Sequence, residues 1–292
     1  MSPCKSPQSW YMLKQDAPMA LLVRIAGFLK AREPACVAAA ARFLQRDRQD
    51  QLWVREKGSR IAGLIMQSRG SLFPVFNGKA PFFLKDFLAQ SLQGRDFYAI
   101  QGIRKDVELL EQVFAWEGRC STHSIDYDLM VLDQEPARLR AFIPGLILRY
   151  AEPRDEEGLF HLQAAYEQEE VLLKGRVFNP ALCRLSLERI MHHEYLLLAQ
   201  GKPGILGKIN TNARSFSRYQ IGGVYVLPEY RDLGIASFMA AAFARDLWHT
   251  GRGLSLFVKK QNPAARKVYL HVGFKVLEDY RISYYSLHEG AL

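Results

Sequence analysis

The chain has 292 residues, 49% of them hydrophobic and 24% charged, and its formal net charge is +9. This composition excludes a largely disordered chain, a coiled coil and a fibrous protein, and a length about twice the ~150-residue norm for a domain predicts two domains. The positive excess favours a polyanion as partner, whether nucleic acid, an anionic membrane surface or a phosphate-rich cofactor.

The N-terminal end lacks the charged-then-apolar layout of a signal peptide. The first apolar stretch, 17–29, is too short to span a membrane and contains Arg24, so it predicts an amphipathic core helix. The widely spaced cysteines, with no C-x-x-C pair, predict neither a metal site nor a disulfide framework; they are Cys4, Cys36, Cys120 and Cys183. We therefore expect a soluble, cytoplasmic protein that does not act at a membrane.

The first half alternates predicted helices and strands. After an N-terminal helical region, a hairpin turns at Lys57 and Gly58. The pattern then predicts a helix over 84–92, an apolar strand over 97–100, a helix over 107–116 and a strand over 125–132. The stretch 133–143 is the expected crossing between domains, which places one domain at 1–142 and the other at 143–292.

The second half gives clearer signals. Asn179 and Pro180 have the residue types of an N-cap and a first helical position. The predicted strands are 146–150, 195–200, 205–210, 221–226, 254–258 and one from Phe274 onward, and the predicted helices are 156–170, 180–192, 235–250 and 263–270. The strand–helix–strand crossover that ends at 254–258 implies parallel neighbours in a mixed sheet.

One segment of this half has the pattern of an anion site. A predicted strand runs into Arg231-x-x-Gly234-x-Ala236, and a helix begins directly after it. Free backbone N–H groups at a helix N-terminus bind anions, Gly234 lets the backbone approach a ligand, and Arg231 adds positive charge. A pyrophosphate fits this pattern, although an ordinary strand-to-helix turn would show it about as often.

A second segment makes the pattern specific. It reads Asn262-Pro-Ala-Ala-Arg-Lys-Val-Tyr269-x-x-x-Gly273-Phe274. The two segments together, one helix and one strand apart, resemble the motifs of the GCN5-related N-acetyltransferase (GNAT) superfamily over 143–292. The resemblance implies an α/β fold with a mixed, centrally splayed β-sheet flanked by helices, preceded by a second, smaller α/β domain.

The resemblance also implies acetyl-CoA as co-substrate and no metal. The positions that match the cofactor-binding motif are Val224, Tyr225, Val226, Arg231, Asp232, Leu233, Gly234, Ile235, Ala236 and Asn262. Position 232 departs from the family pattern, which has glycine or another small residue there. A carboxylate beside a pyrophosphate is unfavourable unless it points to solvent.

Direct attack of an amine on acetyl-CoA is the reaction that the resemblance implies. Gly222 and Gly223 predict a bulge, and a bulged N–H would polarise the thioester carbonyl. Tyr269 matches the family's general acid for the departing thiolate, and its alternative role is that of a core aromatic. The general base stays open between Glu194, Tyr225 and a water chain.

Two polar clusters have competing interpretations. Glu167, Glu169 and Glu170 form an acidic cluster that would suit a cationic acceptor, but a solvated helix face is the commoner explanation. His192 and His193 are adjacent on a helix and point in different directions, so we interpret them as an exposed helix end rather than a base or metal pair.

The first half has the order helix, two strands, helix, strand, helix, strand. This order resembles a degenerate GNAT-like domain that lacks the Arg-x-x-Gly motif; an independent binding module is the alternative. For the whole chain we expect an N-acetyltransferase acting on a small-molecule or peptide amine, with a non-catalytic acyl-CoA sensor as the alternative. The charge divides into +5 over 1–142 and +4 over 143–292, which counts against nucleic acid as partner.

Overall fold

A computed structural model describes residues 10–78, 97–137, 143–173 and 175–286. The helix expected over 84–92 therefore lies outside the described residues. The chain divides into two compact units, of which unit 1 comprises Met1–Leu129 with Leu277–Leu292 and unit 2 comprises Met130–Val276. No helix of the described ranges is both long enough and apolar enough to cross a membrane.

Unit 1 is built on a mixed sheet with the spatial order β1-β2-β3-β4-β5-β12-β6. Its strands are β1 (Trp10–Met12), β2 (Gln51–Lys57), β3 (Arg60–Ser68), β4 (Ser71–Phe76), β5 (Ala99–Ile103), β6 (His123–Leu132) and β12 (Lys275–Tyr284), the last two continuing into unit 2. Its described helices are α1 (Met19–Lys30), α2 (Glu33–Gln45) and α3 (Arg104–Trp116). The predicted hairpin is confirmed as β2–β3, whereas the predicted order omits β1 and β4.

The core of unit 1 lies between this sheet and α3. The apolar residues of α3 recur at helical spacing, and Val107, Leu110 and Phe114 are fully buried. They pack with Trp53 of β2 and Ile100 of β5 in one cluster. Each such side chain contributes roughly 1.5–3 kcal/mol by leaving water.

The strands of unit 2 have the order β11-β10-β9-β8-β7 and pair in both parallel and antiparallel directions. Its strands are β7 (Ile147–Tyr150), β8 (Leu196–Gly201), β9 (Gly204–Arg214), β10 (Arg218–Val226) and β11 (Gly253–Lys259). Its helices are α4 (Glu156–Tyr166), α5 (Pro180–His193), α6 (Ile235–Trp248) and α7 (Pro263–Val272). The predicted crossover is confirmed, because β10 and β11 pair in parallel on either side of α6.

Local sequence signals fix the helix ends of unit 2. Asn179 Oδ1 accepts hydrogen bonds from the backbone N–H groups of Ala181 and Leu182 at 3.0 and 3.1 Å, which confirms the predicted N-cap of α5. The α-helix expected over 156–170 is shorter than predicted. It ends as an α-helix at Tyr166 and continues as a π-helical turn over Glu167–Val171. The predicted α/β class with mixed sheets and flanking helices is confirmed.

Candidate functional site

A gap opens in the sheet of unit 2 between β10 and β11. Their paired register runs from Arg218–Gly253 to Ile221–Leu256, whereas β10 continues to Val226 and β11 to Lys259. Two strands that separate in this way leave backbone groups facing the gap. An extended ligand can bind these groups like an added strand.

The predicted bulge is confirmed in β10, beside this gap. Gly222 pairs with Asn210 of β9 and Tyr225 pairs with Lys208, so the register shifts across Gly223 and Val224. Gly223 has a φ of +58°, and a Cβ placed on it would lie 2.0 Å from Asn210 Oδ1. Only glycine fits there, because both the backbone conformation and the space exclude a side chain.

The loop after β10 has the form of an anion site. Asp232 and Gly234 have φ values of +62° and +79°, and Gly234 is the N-cap of α6. None of the described side chains caps α6, so the N–H groups of its first turn remain available to a ligand. Asp232 and Leu233 are exposed, whereas the side chain of Ile235 is buried in the core.

Arg231 is engaged by a carboxylate from the π-helical turn. Its Nη1 and Nη2 donate to Glu169 Oε1 and Oε2 at 2.8 and 2.7 Å, and its Nε donates to the Val226 carbonyl at 3.1 Å. The Tyr225 hydroxyl donates to the same carboxylate at 2.9 Å. The Arg231 guanidinium holds the pKa of Glu169 below its ordinary value.

The neighbouring glutamate binds the end of β11. Lys259 Nζ donates to Glu170 Oε2 at 2.8 Å and to the Glu170 carbonyl at 2.7 Å. Glu167–Val171, which we call the acidic strap, is therefore tied both to the loop after β10 and to the end of β11. Glu169 and Glu170 are thus internal ion-pair partners, which neither interpretation of the acidic cluster predicted.

Tyr269 lies on α7 and is 8% exposed. Its ring packs edge-on against Phe274, with the ring centroids 6.0 Å apart. Burial raises the pKa of its hydroxyl, and the neighbouring Tyr166 and Glu170 raise it further. Tyr269 is therefore buried among core residues and keeps its proton, so its hydroxyl can serve as a hydrogen-bond donor.

Lys208 is a residue of the site that the sequence reasoning missed. It lies in β9 and is 1% exposed. Its Nζ donates to the Gly223 carbonyl at 3.0 Å and to Asn210 Oδ1 at 3.2 Å, and it lies 4.7 Å from the centroid of the Tyr166 ring. Burial lowers the pKa of Lys208 to about 7. The available signal was a lysine within the apolar run 205–209 of a predicted strand.

The two candidate bases belong to different clusters. Glu194 Oε2 accepts from Thr211 Oγ1 at 2.6 Å and lies 3.7 Å from Arg214 Nε. Tyr225 instead donates to Glu169, and burial raises the pKa of its hydroxyl. The structure therefore adds Tyr225 to the Arg231 cluster and leaves Glu194 outside it.

Asn262 and the histidine pair occupy helix ends. Asn262 Oδ1 accepts from the Ala265 N–H at 3.0 Å and caps α7, so its own helix uses that oxygen. His192 Nδ1 lies 2.7 Å from the Glu188 carbonyl near the end of α5. Within the parts of the chain that the structure covers, no group of His, Cys, Asp or Glu side chains is arranged to hold a metal ion.

Comparisons with known proteins agree with this geometry. A family model described as FR47-like protein, which is related to GNAT proteins, matches residues 210–282, the part that holds the gap and the anion loop. No curated protein matches the sequence significantly.

Solved structures similar to this chain extend over both of its halves. A Drosophila protein has a TM-score of 0.70 at 14% identity, covering 95% of this chain and 98% of that chain. A tandem GNAT protein from the clavulanic acid biosynthesis pathway has a TM-score of 0.60 at 13% identity, covering 98% and 100%. A GCN5-related N-acetyltransferase from Sphaerobacter thermophilus has a TM-score of 0.58 at 19% identity, covering 97% and 96%.

The chain therefore has the GNAT fold, and the resemblance expected from its motifs is confirmed. Within that fold, the sequence match falls on the FR47-like model and includes both motif segments.

Proposed function

We propose that the protein transfers an acetyl group from acetyl-CoA to an amine by direct attack in a ternary complex. The observation that carries the proposal is the uncapped first turn of α6 next to Arg231, at the mouth of the gap between β10 and β11. The names of the similar structures, which include N-acetyltransferases, support the acetyl group and the amine.

Two parts of the co-substrate, the pyrophosphate and the pantetheine arm, would bind at separate elements of the site. The backbone N–H groups from Leu233 to Ala236 and the Arg231 guanidinium would bind the pyrophosphate. The backbone of Val224 and Val226 would pair with the pantetheine arm in the gap. Asp232 is exposed, so its carboxylate can point to solvent and away from the phosphates.

The chemistry requires two proton movements. The amine nitrogen forms a bond to the thioester carbon, the carbon–sulfur bond breaks, and the sulfur takes a proton while the former ammonium loses one. Tyr269 would donate to the sulfur. The pKa of the Tyr269 hydroxyl is raised above the ordinary ~10 of a phenol, whereas a thiol has a pKa near ~8.5. Since the hydroxyl is the weaker acid, Tyr269 would act first as a hydrogen-bond donor that stabilises the leaving thiolate.

Thiol release from acetyl-CoA over a panel of small-molecule and peptide amines tests the proposal. We expect one class of amine to give turnover, which Tyr269→Phe lowers while acetyl-CoA still binds. Binding of acetyl-CoA without thiol release from any amine would instead identify an acyl-CoA sensor. A wild-type protein that does not bind acetyl-CoA at all would refute both functions.

A further inference from the structure

Lys208 is a buried amine for which the proposed reaction has no direct use. Its two hydrogen-bond acceptors, the Gly223 carbonyl and Asn210 Oδ1, are both neutral, and the charge of Glu167 only partly offsets the effect of burial on its pKa. Placing an ammonium group in such surroundings costs free energy, which the low pKa of the side chain reflects. A well-packed apolar side chain would avoid this cost, so the structure raises the question of what the amine does there.

The position of the amine is fixed by a chain of hydrogen bonds. Asn210 is fully buried, and its Nδ2 donates to the Thr211 carbonyl and to Asn212 Oδ1, each at 2.9 Å. Its Oδ1 is thereby oriented to receive Lys208 Nζ. On the other side, the absence of a Cβ at Gly223 lets the amine reach the backbone of the bulge.

The peptide bond between Gly223 and Val224 transmits this contact to the gap. The peptide is trans, so the Gly223 carbonyl and the Val224 N–H point in opposite directions. Lys208 Nζ binds the carbonyl, so the Val224 N–H points away from that amine. The paired register of β10 with β11 ends at Ile221 and Leu256, before Val224.

We propose that Lys208 is a positioning residue that holds the Gly223–Val224 peptide so that the Val224 N–H faces the thioester carbonyl of acyl-CoA in the gap. This inference rests on the proposed function. A donor on the carbonyl of a peptide also polarises its N–H, because hydrogen bonds in a chain strengthen one another. The N–H would therefore stabilise the negative charge that develops on the thioester oxygen during attack.

Lys208→Met tests the role, with Lys202→Met as the matched control at the exposed turn between β8 and β9. The first measurement is the infrared carbonyl band of acetyl-CoA carrying 13C at the thioester carbonyl. We expect this band to move to lower frequency on binding to the wild type and to Lys202→Met, and to stay near its solution position on Lys208→Met.

The second measurement separates binding from turnover. Loss of one oxyanion donor lowers kcat by roughly 100-fold or more, and weakened positioning should lower it by about 10- to 100-fold. The Kd and KM for acetyl-CoA should stay within about threefold of the wild-type values, since uniform binding is not removed. Lys208→Gln, which keeps an N–H donor, should retain part of the band shift and an intermediate kcat.

The outcomes distinguish the two proposals. Acetyl-CoA that binds the wild type with an unshifted carbonyl band overturns the role of Lys208 and leaves the proposed function intact. If Lys208→Met shows the same band shift and the same kcat as the wild type, Lys208 has no positioning role. If Lys208→Met does not fold, a band shift and a kcat equal to the wild-type values in Lys208→Gln lead to the same conclusion. No binding of acetyl-CoA by the wild type overturns both proposals.

Discussion

We predict that the acidic strap competes with acyl-CoA for Arg231, and Glu169→Gln tests this prediction. Arg231 and Glu169 are 39% and 40% exposed, and their bidentate contacts are 2.8 and 2.7 Å long. A half-exposed pair of this kind contributes roughly 0.2–1 kcal/mol, and the bond from Tyr225 to the same carboxylate adds about 1 kcal/mol. Both interactions are lost when a phosphate takes the guanidinium.

Glutamine has the shape of glutamate without its charge, so Glu169→Gln should weaken the contacts of this side chain with Arg231 and Tyr225 by about 1 kcal/mol. CoA would then have that much less free energy to overcome when it binds Arg231. The Kd for CoA should then fall by about three- to tenfold, since 1.4 kcal/mol corresponds to roughly a factor of ten. Isothermal titration calorimetry with CoA measures it, and Glu157→Gln, on the exposed side of α4, is the matched control. An unchanged or higher Kd in Glu169→Gln would show that the strap does not oppose binding.

Three further predictions concern single side chains. Tyr269→Phe should lower kcat by about 10²-fold or more with little change in the Kd for acetyl-CoA, as expected for a lost proton donor. The pKa of Lys208 is lowered to about 7, so above pH 7 this residue binds more protons in the unfolded chain than in the folded one. The free energy of unfolding should therefore rise between pH 7 and pH 8.5, by at most ~1.4 kcal/mol per pH unit. Urea titrations should show a flatter pH dependence for Lys208→Met than for the wild type. Burial raises the pKa of Asp106 to about 6, so the contribution of Asp106 to stability falls as the pH rises from 4 through 6. The variant Asp106→Asn can still accept the hydrogen bond from the Phe76 N–H, so at pH 7 its free energy of unfolding should exceed that of the wild type by roughly 1–3 kcal/mol. Equal free energies of unfolding at pH 7 would refute this.

The elements of unit 1 show what local patterns can and cannot predict. β4 was missed because Pro74 lies in it, and proline usually marks the edge of a sheet. The structure accommodates Pro74 because the parallel pairing of β4 with β5 involves only Ser71 and Leu72, so the missing N–H falls where that ladder has ended. This register depends on a strand that follows after the stretch 79–96, and no local pattern encodes it.

Strand β12 presents the same difficulty on a larger scale. Its strand character is visible in the sequence, but Tyr280 pairs with Ile103 of β5 in unit 1. In the sheet of unit 1, β12 lies between β5 and β6, so residues far apart in the sequence pair with each other. Hydrophobic periodicity predicts that a strand exists and says nothing about its neighbours.

In the candidate site, the anion loop was predictable and its partners were not. Arg231 and Gly234 lie in one short strand–loop–helix segment, so their spacing carries the geometry. Glu169, which holds Arg231, lies in the π-helical turn that follows Tyr166, and no local pattern predicted that turn. Lys208 is 1% exposed because a helix covers its face of the sheet, where the ring of Tyr166 lies 4.7 Å from Nζ, and no local pattern predicts that packing.

The ion pairs of the strap also affect how strongly the net charge of +9 can attract CoA. Arg231 and Lys259 already hold carboxylates, so CoA bound there would replace one set of anions with another instead of meeting free cations. Salt screens the internal pairs and the new ones alike, and the two effects oppose each other in the binding equilibrium. The Kd for CoA should therefore depend weakly on ionic strength in the wild type and more steeply in Glu169→Gln, where only the contact with the phosphates is screened. Equal slopes in titrations from low to high salt would mean that Arg231 is not exchanged between the strap and the co-substrate.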